Sequence, residues 1–140
     1  MERTNLGRLF FRIDHLLLSW AASHADTPFS ITAFFALDHL ATHGPTSMKT
    51  LAAALDITPA SLTALSSKLE KAGWIERQPN PYDRRGALLV CTPAGSKKLS
   101  SDYHSMQSFF DSYLEKQEQW ALSDILQVIV DHENQQKHLE

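Results

Sequence analysis

Apolar side chains at Leu6, Leu9, Phe10, Ile13, Leu16 and Trp20 recur at helical spacing, which predicts a first helix over residues 5–24 with one apolar face. Ser30 suits the N-cap of a second helix carrying Ile31, Phe34, Phe35, Leu37 and Leu40, which stops at the breaker pair in His43-Gly44-Pro45. Ser47 caps a short third helix whose inward positions are Met48, Leu51, Ala52 and Leu55. In Asp56-Ile57-Thr58-Pro59 one helix ends and another begins. A threonine side chain can accept a free N–H of the first turn, and proline suits the first helical position because its missing donor has no partner there. Two helices joined by so short a turn, about three or four residues, form a helix-turn-helix. The fourth helix directs Leu62, Leu65, Leu69 and Ala72 inward and ends at Gly73. Its opposite side carries Ala60, Thr63, Ala64, Ser67 and Lys71, a small, polar face almost free of acid.

Beyond Gly73 the period changes. Trp74–Arg77 and Ala87–Cys91 read as two strands joined by the turn-rich loop Pro79-Asn80-Pro81-Tyr82-Asp83-Arg84-Arg85-Gly86. Thr92-Pro93 opens a fifth helix with Leu99, Tyr103, Met106, Phe110, Tyr113 and Leu114 on one side. A sixth, from about Gln119 or Ser123, shows Leu122, Ile125, Leu126, Ile129 and Val130. The fold class is therefore mainly α with a small β-hairpin wing. Residues 1–140 are expected to form one domain, with a winged helix-turn-helix core over 30–92 and flanking helices over 5–24 and 93–137. The flanking helices carry more apolar surface than such a core needs. A monomeric helical core would bury it, as would a two-fold dimer, the commonest soluble assembly, and the dimer is expected here.

A chain of 140 residues with 43% hydrophobic content can enclose a core without disulfide or metal staples. No apolar run approaches the roughly 20 residues of a membrane span. Met1-Glu2-Arg3-Thr4-Asn5, followed by Arg8, Arg12 and Asp14, lacks the apolar region of a secretory leader, so a cytoplasmic location is expected. The single cysteine, Cys91, agrees with a reducing compartment, and within an apolar strand it reads as structural rather than as an oxidant sensor. The net charge of −3 disfavours a polyanionic partner until its distribution is considered. Residues 46–98 hold eight basic and four acidic side chains, leaving the rest of the chain strongly acidic. A basic middle between acidic ends points to a nucleic-acid face on the central segment.

Seven histidines raise the question of metal, above all His39 and His43, one helical turn apart. Only Asp38 or His104 stands as a further ligand, neither fixed by spacing, and no metal or cofactor is assigned. The chain has no glycine-rich phosphate loop, no nucleophile elbow and no triad spacing, so it is not expected to be an enzyme.

The run Leu62–Arg77, the segment Pro79-Asn80-Pro81-Tyr82-Asp83-Arg84-Arg85 and the continuation Leu89-Val90-Cys91-Thr92-Pro93-Ala94-Gly95 together resemble the MarR family of bacterial transcriptional regulators. The resemblance is strongest from Gly44 to Gly95. It implies a homodimer joined through its N- and C-terminal helices, bound to a pseudo-palindromic operator and usually acting as a repressor. It also implies that the helix over residues 59–72 enters the major groove and that the wing over 79–86 reaches the minor groove. The family's aspartate-x-arginine pattern falls on Asp83 and Arg85.

Residue chemistry reaches the same surface independently. Arg84 and Arg85 at a loop tip suit the concentrated negative potential of a narrow minor groove, and Asp83 is placed to orient an arginine. Ser61, near a helix N-terminus beside Thr58 and Ala60, can offer hydroxyl and backbone donors to phosphate. Thr63 and Ala64 can meet thymine methyls, Ser67 can hydrogen-bond a base edge, and Lys68 and Lys71 suit phosphates. Ala64 and Ser67 are short where relatives carry longer polar side chains, so specificity is expected to lean on DNA shape. Ser66 sits where an aliphatic residue is common, a change expected to loosen helix packing. In relatives, small phenolic or anionic ligands bind between the dimer helices and the winged helix. Phe10, Trp20, Phe34 and Phe35 are the candidates here for such an effector pocket, although core packing accounts for the same residues. The rival from another class is a winged helix used only for protein contacts, which needs neither two wing arginines nor an acid-free helix face.

Overall fold

The computed structural model describes residues 5–24 and 30–139; Met1–Thr4, on which the reading of the amino terminus partly rests, lie outside the described residues. The element order is α1 (Leu6–His24), α2 (Ile31–His43), β1 (Thr46–Ser47), α3 (Met48–Leu55), α4 (Pro59–Lys71), β2 (Ile75–Pro79), β3 (Ala87–Cys91), α5 (Pro93–Tyr113) and α6 (Lys116–Lys137). The class is the expected one, mostly helical with a small antiparallel sheet. The sheet has three strands rather than two, in the order β1-β3-β2. The extra strand pairs Thr46 with Leu89 and Ser47 with Leu88. Two residues are too few to show an alternating pattern, which is why this strand is silent in the sequence. Strand β2 runs further than expected, pairing Ile75 with Cys91 through to Pro79 with Ala87. It lies at the sheet edge, where a proline can stand without breaking a ladder bond. Trp74 is not part of it; its N–H donates to Leu69 O at 3.0 Å and finishes the end of α4.

Residues 1–105 and 106–140 form two compact units. In the first, Ala36, Leu37 and Leu40 of α2, Leu51 and Ala52 of α3 and Leu62 and Leu69 of α4 bury against Ile75, Leu89 and Leu99. Ala72, expected inward, is exposed, because α4 has already closed there and Gly73 takes a left-handed turn with φ of 78°. In the second unit, α6 starts earlier than its apolar pattern indicates. Glu118 accepts the Glu115 N–H at 2.8 Å, a polar capping arrangement that hydrophobic periodicity does not register. No residue of α6 is buried, and Ile125, Val128 and Ile129 stand well exposed. The apolar face of α1 is likewise uncovered, including Leu6, Phe10 and Leu16.

One hydroxyl joins the helix-turn-helix to α5. Buried Thr92 donates through Oγ1 to the Gly73 carbonyl at 2.6 Å and accepts the Gly95 N–H at 3.0 Å, capping α5. Its own N–H donates to Trp74 O at 3.0 Å. One turn on, the Lys98 ammonium pairs with the buried Asp102 carboxylate at 2.6 Å and lies 5.3 Å from the centre of the Trp74 ring. Thr92→Val keeps the volume but leaves the part-buried Gly73 carbonyl and the buried Gly95 N–H unpaired, so unfolding in urea is expected to show a loss of about 2 kcal/mol.

Candidate nucleic-acid interface

The short turn between α3 and α4 is built by a backbone exception. Asp56 adopts φ 54° and ψ 45°, a left-handed conformation that aspartate tolerates better than most side chains, and its N–H returns to the end of α3. Ile57 N–H donates to Ala52 O at 3.1 Å, which closes α3 and sends the chain directly into α4. Thr58 Oγ1 then accepts the Ser61 N–H at 3.1 Å and donates to Ser61 Oγ at 2.9 Å. Thr58 thus fixes where α4 begins, and the first turn holds no acid.

Leu62 and Leu69 point α4 into the core, which turns Ala60, Ser61, Thr63, Ala64, Lys68 and Lys71 outward, with Ser67 half-buried beside them. Thr63 Oγ1 donates to Pro59 O at 2.9 Å and Ser67 Oγ to Thr63 O at 3.0 Å. Both hydroxyls have given their proton to the helix, so what they present outward is acceptor capacity. Glu70, the one acid of α4, is turned aside: Arg77 Nε of β2 donates to its Oε1 at 2.9 Å. The same guanidinium donates through Nη2 to Ser66 Oγ at 3.3 Å, and Ser66 Oγ donates to Thr63 O at 3.0 Å. Ser66 is fully buried and bonded, so the expected loosening is replaced by a polar tie between α4 and β2. This cluster was missed in the sequence, since its members lie on two elements across a turn and share no period.

The wing comprises residues 80–86 between β2 and β3. Asn80 Oδ1 accepts the Tyr82 N–H at 3.0 Å, Asp83 Oδ1 accepts the Arg85 N–H at 2.9 Å, and Gly86 N–H reaches Asp83 O at 3.3 Å. Asp83 therefore holds Arg85 by its main chain. Tyr82, Arg84 and Arg85 are all exposed.

The other candidate groups separate into pairs. His39 and His43 stack with ring centroids 4.1 Å apart and planes 21° apart, with His43 Nδ1 3.1 Å from the His39 carbonyl oxygen. Near-parallel rings do not aim their in-plane nitrogens at one point. Burial and then the charge of His43 hold His39 below the usual imidazole range, against the opposing pull of Asp38. Among the described residues no group of three or more His, Cys, Asp or Glu is placed to hold a metal ion. Asp38 instead accepts the Tyr103 hydroxyl at 2.8 Å, a bond that raises the Tyr103 pKa. Phe34 meets Phe35 and Tyr103 edge to face, with centroids 5.4 and 4.9 Å apart. Trp20 Nε1 donates to Ser105 O at 3.2 Å, and exposed Phe10 pairs with Phe11 at 6.3 Å. Cys91 is half-buried, its Sγ 3.5 Å from Thr92 O.

The model of the MarR family matches residues 29–86. The multiple antibiotic resistance protein MarR of Salmonella typhimurium is 35% identical over 97 residues, which are 65% of this chain and 64% of that protein. The chain thus spans just under two thirds of the length of that curated relative. Among solved structures, the reduced form of MarR from Escherichia coli superposes with a TM-score of 0.75 at 22% identity, covering 92% of this chain and 98% of that one. BpsR of Bordetella bronchiseptica, whose structure addresses regulation of its DNA binding by 6-hydroxynicotinic acid, gives 0.68 at 20% identity over 91% and 94% of the two chains. These likenesses show the fold, a winged helix. It is through this winged helix, matched over residues 29–86, that the chain resembles the MarR family.

Proposed function

We propose that the chain is a cytoplasmic, non-enzymatic transcriptional regulator that binds a pseudo-palindromic double-stranded DNA operator as a homodimer and acts as a repressor. The observation that carries this reading is the joint one of an outward α4 face cleared of acid by the Arg77–Glu70 pair and a neighbouring wing tipped by Arg84 and Arg85. On this reading α4 lies in the major groove. Ser61 and the first-turn N–H groups meet phosphate, with Thr58 and Ala60 alongside. Thr63 and Ala64 contact base edges, Ser67 accepts a hydrogen bond there, and Lys68 and Lys71 sit over phosphates. The wing enters the adjacent minor groove. The uncovered apolar faces over residues 5–24 and 93–137 form the dimer surface around the 30–92 core. A small phenolic or anionic effector, of the chemistry named for BpsR, binds near Phe10, Trp20, Phe34 and Phe35 and releases the operator.

The test is fluorescence anisotropy of the protein against the DNA flanking its own gene and against a scrambled duplex, from low to physiological salt. Salt-dependent binding that prefers the flanking DNA, with two subunits per site, supports the reading. Failure to bind either duplex at low salt transfers the weight to a protein-contact module. Ser67→Ala is expected to change the preference at one base pair by roughly fivefold, the value of one hydrogen bond of about 1 kcal/mol. An equal loss on every duplex would remove Ser67 from base recognition.

A further inference from the structure

Tyr82 is 95% exposed, more than any other large apolar side chain among the described residues. A tyrosine ring ordinarily buries a large apolar area, and left bare at a loop tip it contributes nothing visible to the fold. Its backbone is nevertheless held on both sides. The Tyr82 N–H donates to Asn80 Oδ1, Pro81 restricts the chain before it, and Asp83 Oδ1 fixes the Arg85 N–H after it. The ring therefore stands on a pre-ordered tip two residues before Arg84, with Asp83 between them, so ordering it on binding costs little.

We infer that Tyr82 is a DNA-contacting residue of the wing, its ring packing on the deoxyribose wall of the minor groove that the two arginines enter. This rests on the DNA-binding reading above and deepens it. The α4 face offers short side chains and acceptor hydroxyls, so discrimination leans on the shape of the duplex beside the few base contacts of that helix. Apolar side chains inserted at the minor groove report its width and the ease with which a base step opens. An uncharged ring displaces no counterion, so it adds affinity that salt does not screen, whereas the arginines add affinity that salt does.

The experiment measures anisotropy of wild type, Tyr82→Ala, Tyr82→Phe and the Arg84→Ala/Arg85→Ala double variant on a 30-base-pair duplex across a salt series. Thermal unfolding of each is recorded alongside. Tyr82→Ala is expected to weaken binding roughly tenfold with the slope of log K against log salt unchanged, and Tyr82→Phe to stay within about twofold of wild type. The double variant flattens the slope. Unfolding of Tyr82→Ala should match wild type, since the ring touches nothing that holds the fold. Wild-type affinity in Tyr82→Ala, while the arginine variant still loses binding, overturns the inference and leaves the DNA reading standing. A loss in Tyr82→Phe as large as in Tyr82→Ala assigns the effect to the hydroxyl and overturns the apolar contact. Absence of binding by wild type at low salt defeats the DNA reading itself, and the inference with it.

Discussion

Replacing Arg84 and Arg85 together by alanine, which removes four guanidinium groups from the proposed dimer, is expected to weaken binding to every duplex by roughly 1,000-fold and to flatten the salt dependence by about four units of slope. The size follows from the charge removed. Each guanidinium at a groove displaces about one counterion, and four lost contacts, two on each subunit, of about 1 kcal/mol each multiply to that factor. The uniformity across sequences follows from place, because both arginines sit on the wing while, in the proposed complex, the base edges lie against α4. The fold should be indifferent to the change. The contact that orders this loop uses the Arg85 main-chain N–H, which alanine retains. Isotherms of the double variant on matched and scrambled duplexes check this, and unchanged affinity would detach the wing from DNA.

The largest expected effect on stability lies elsewhere. Gly95 is buried in the first turn of α5 beneath the Trp74 carbonyl. A β-carbon at this position would overlap the Trp74 carbonyl oxygen and press on Cys91 Sγ at 2.9 Å. The obstacle is backbone, which cannot swing aside as a flexible side chain would. The same Gly95 N–H donates to Thr92, so moving α5 outward to relieve the overlap breaks its cap and loosens the link to Gly73. Gly95→Ala is therefore expected to destabilise by about 3 kcal/mol, lowering the thermal midpoint by roughly 10 °C. Gly86→Ala is the control: no atom lies within 4 Å of its β-carbon position, and a change within about 0.5 kcal/mol is expected by calorimetry.

Much of this architecture is legible in the chain because it rests on local chemistry. Ser30, Ser47 and Thr58 each cap the helix that their sequence context predicts, with the side chain accepting an N–H three residues on. Leu37, Leu40, Leu51, Leu62 and Leu69 bury because helical period alone aims them together. The outward face of α4 and the turn-rich wing follow from the same two rules. What the chain conceals is what distant residues do to one another. Ser66 looks like a flaw in an apolar stripe until Arg77 arrives from β2. Glu70 looks like an acid on a DNA-facing helix until the same arginine draws it away. Gly95 looks like an ordinary glycine after a proline until Trp74 is seen above it. The apolar periodicity of α1 and α6 predicts their helices correctly and leaves their cover open, since a period shows which face is apolar and not what covers it, and within this chain much of both faces is exposed.

Hydroxyl-radical footprinting of the protein on the DNA flanking its own gene tests most directly how the winged helix meets DNA. Two protected stretches centred about one helical turn, roughly 10 bp, apart are predicted, each bordered by a minor-groove protection that disappears in the Arg84→Ala/Arg85→Ala variant. A single protected stretch, or border protections that persist without the two arginines, would contradict the placement of α4 and the wing.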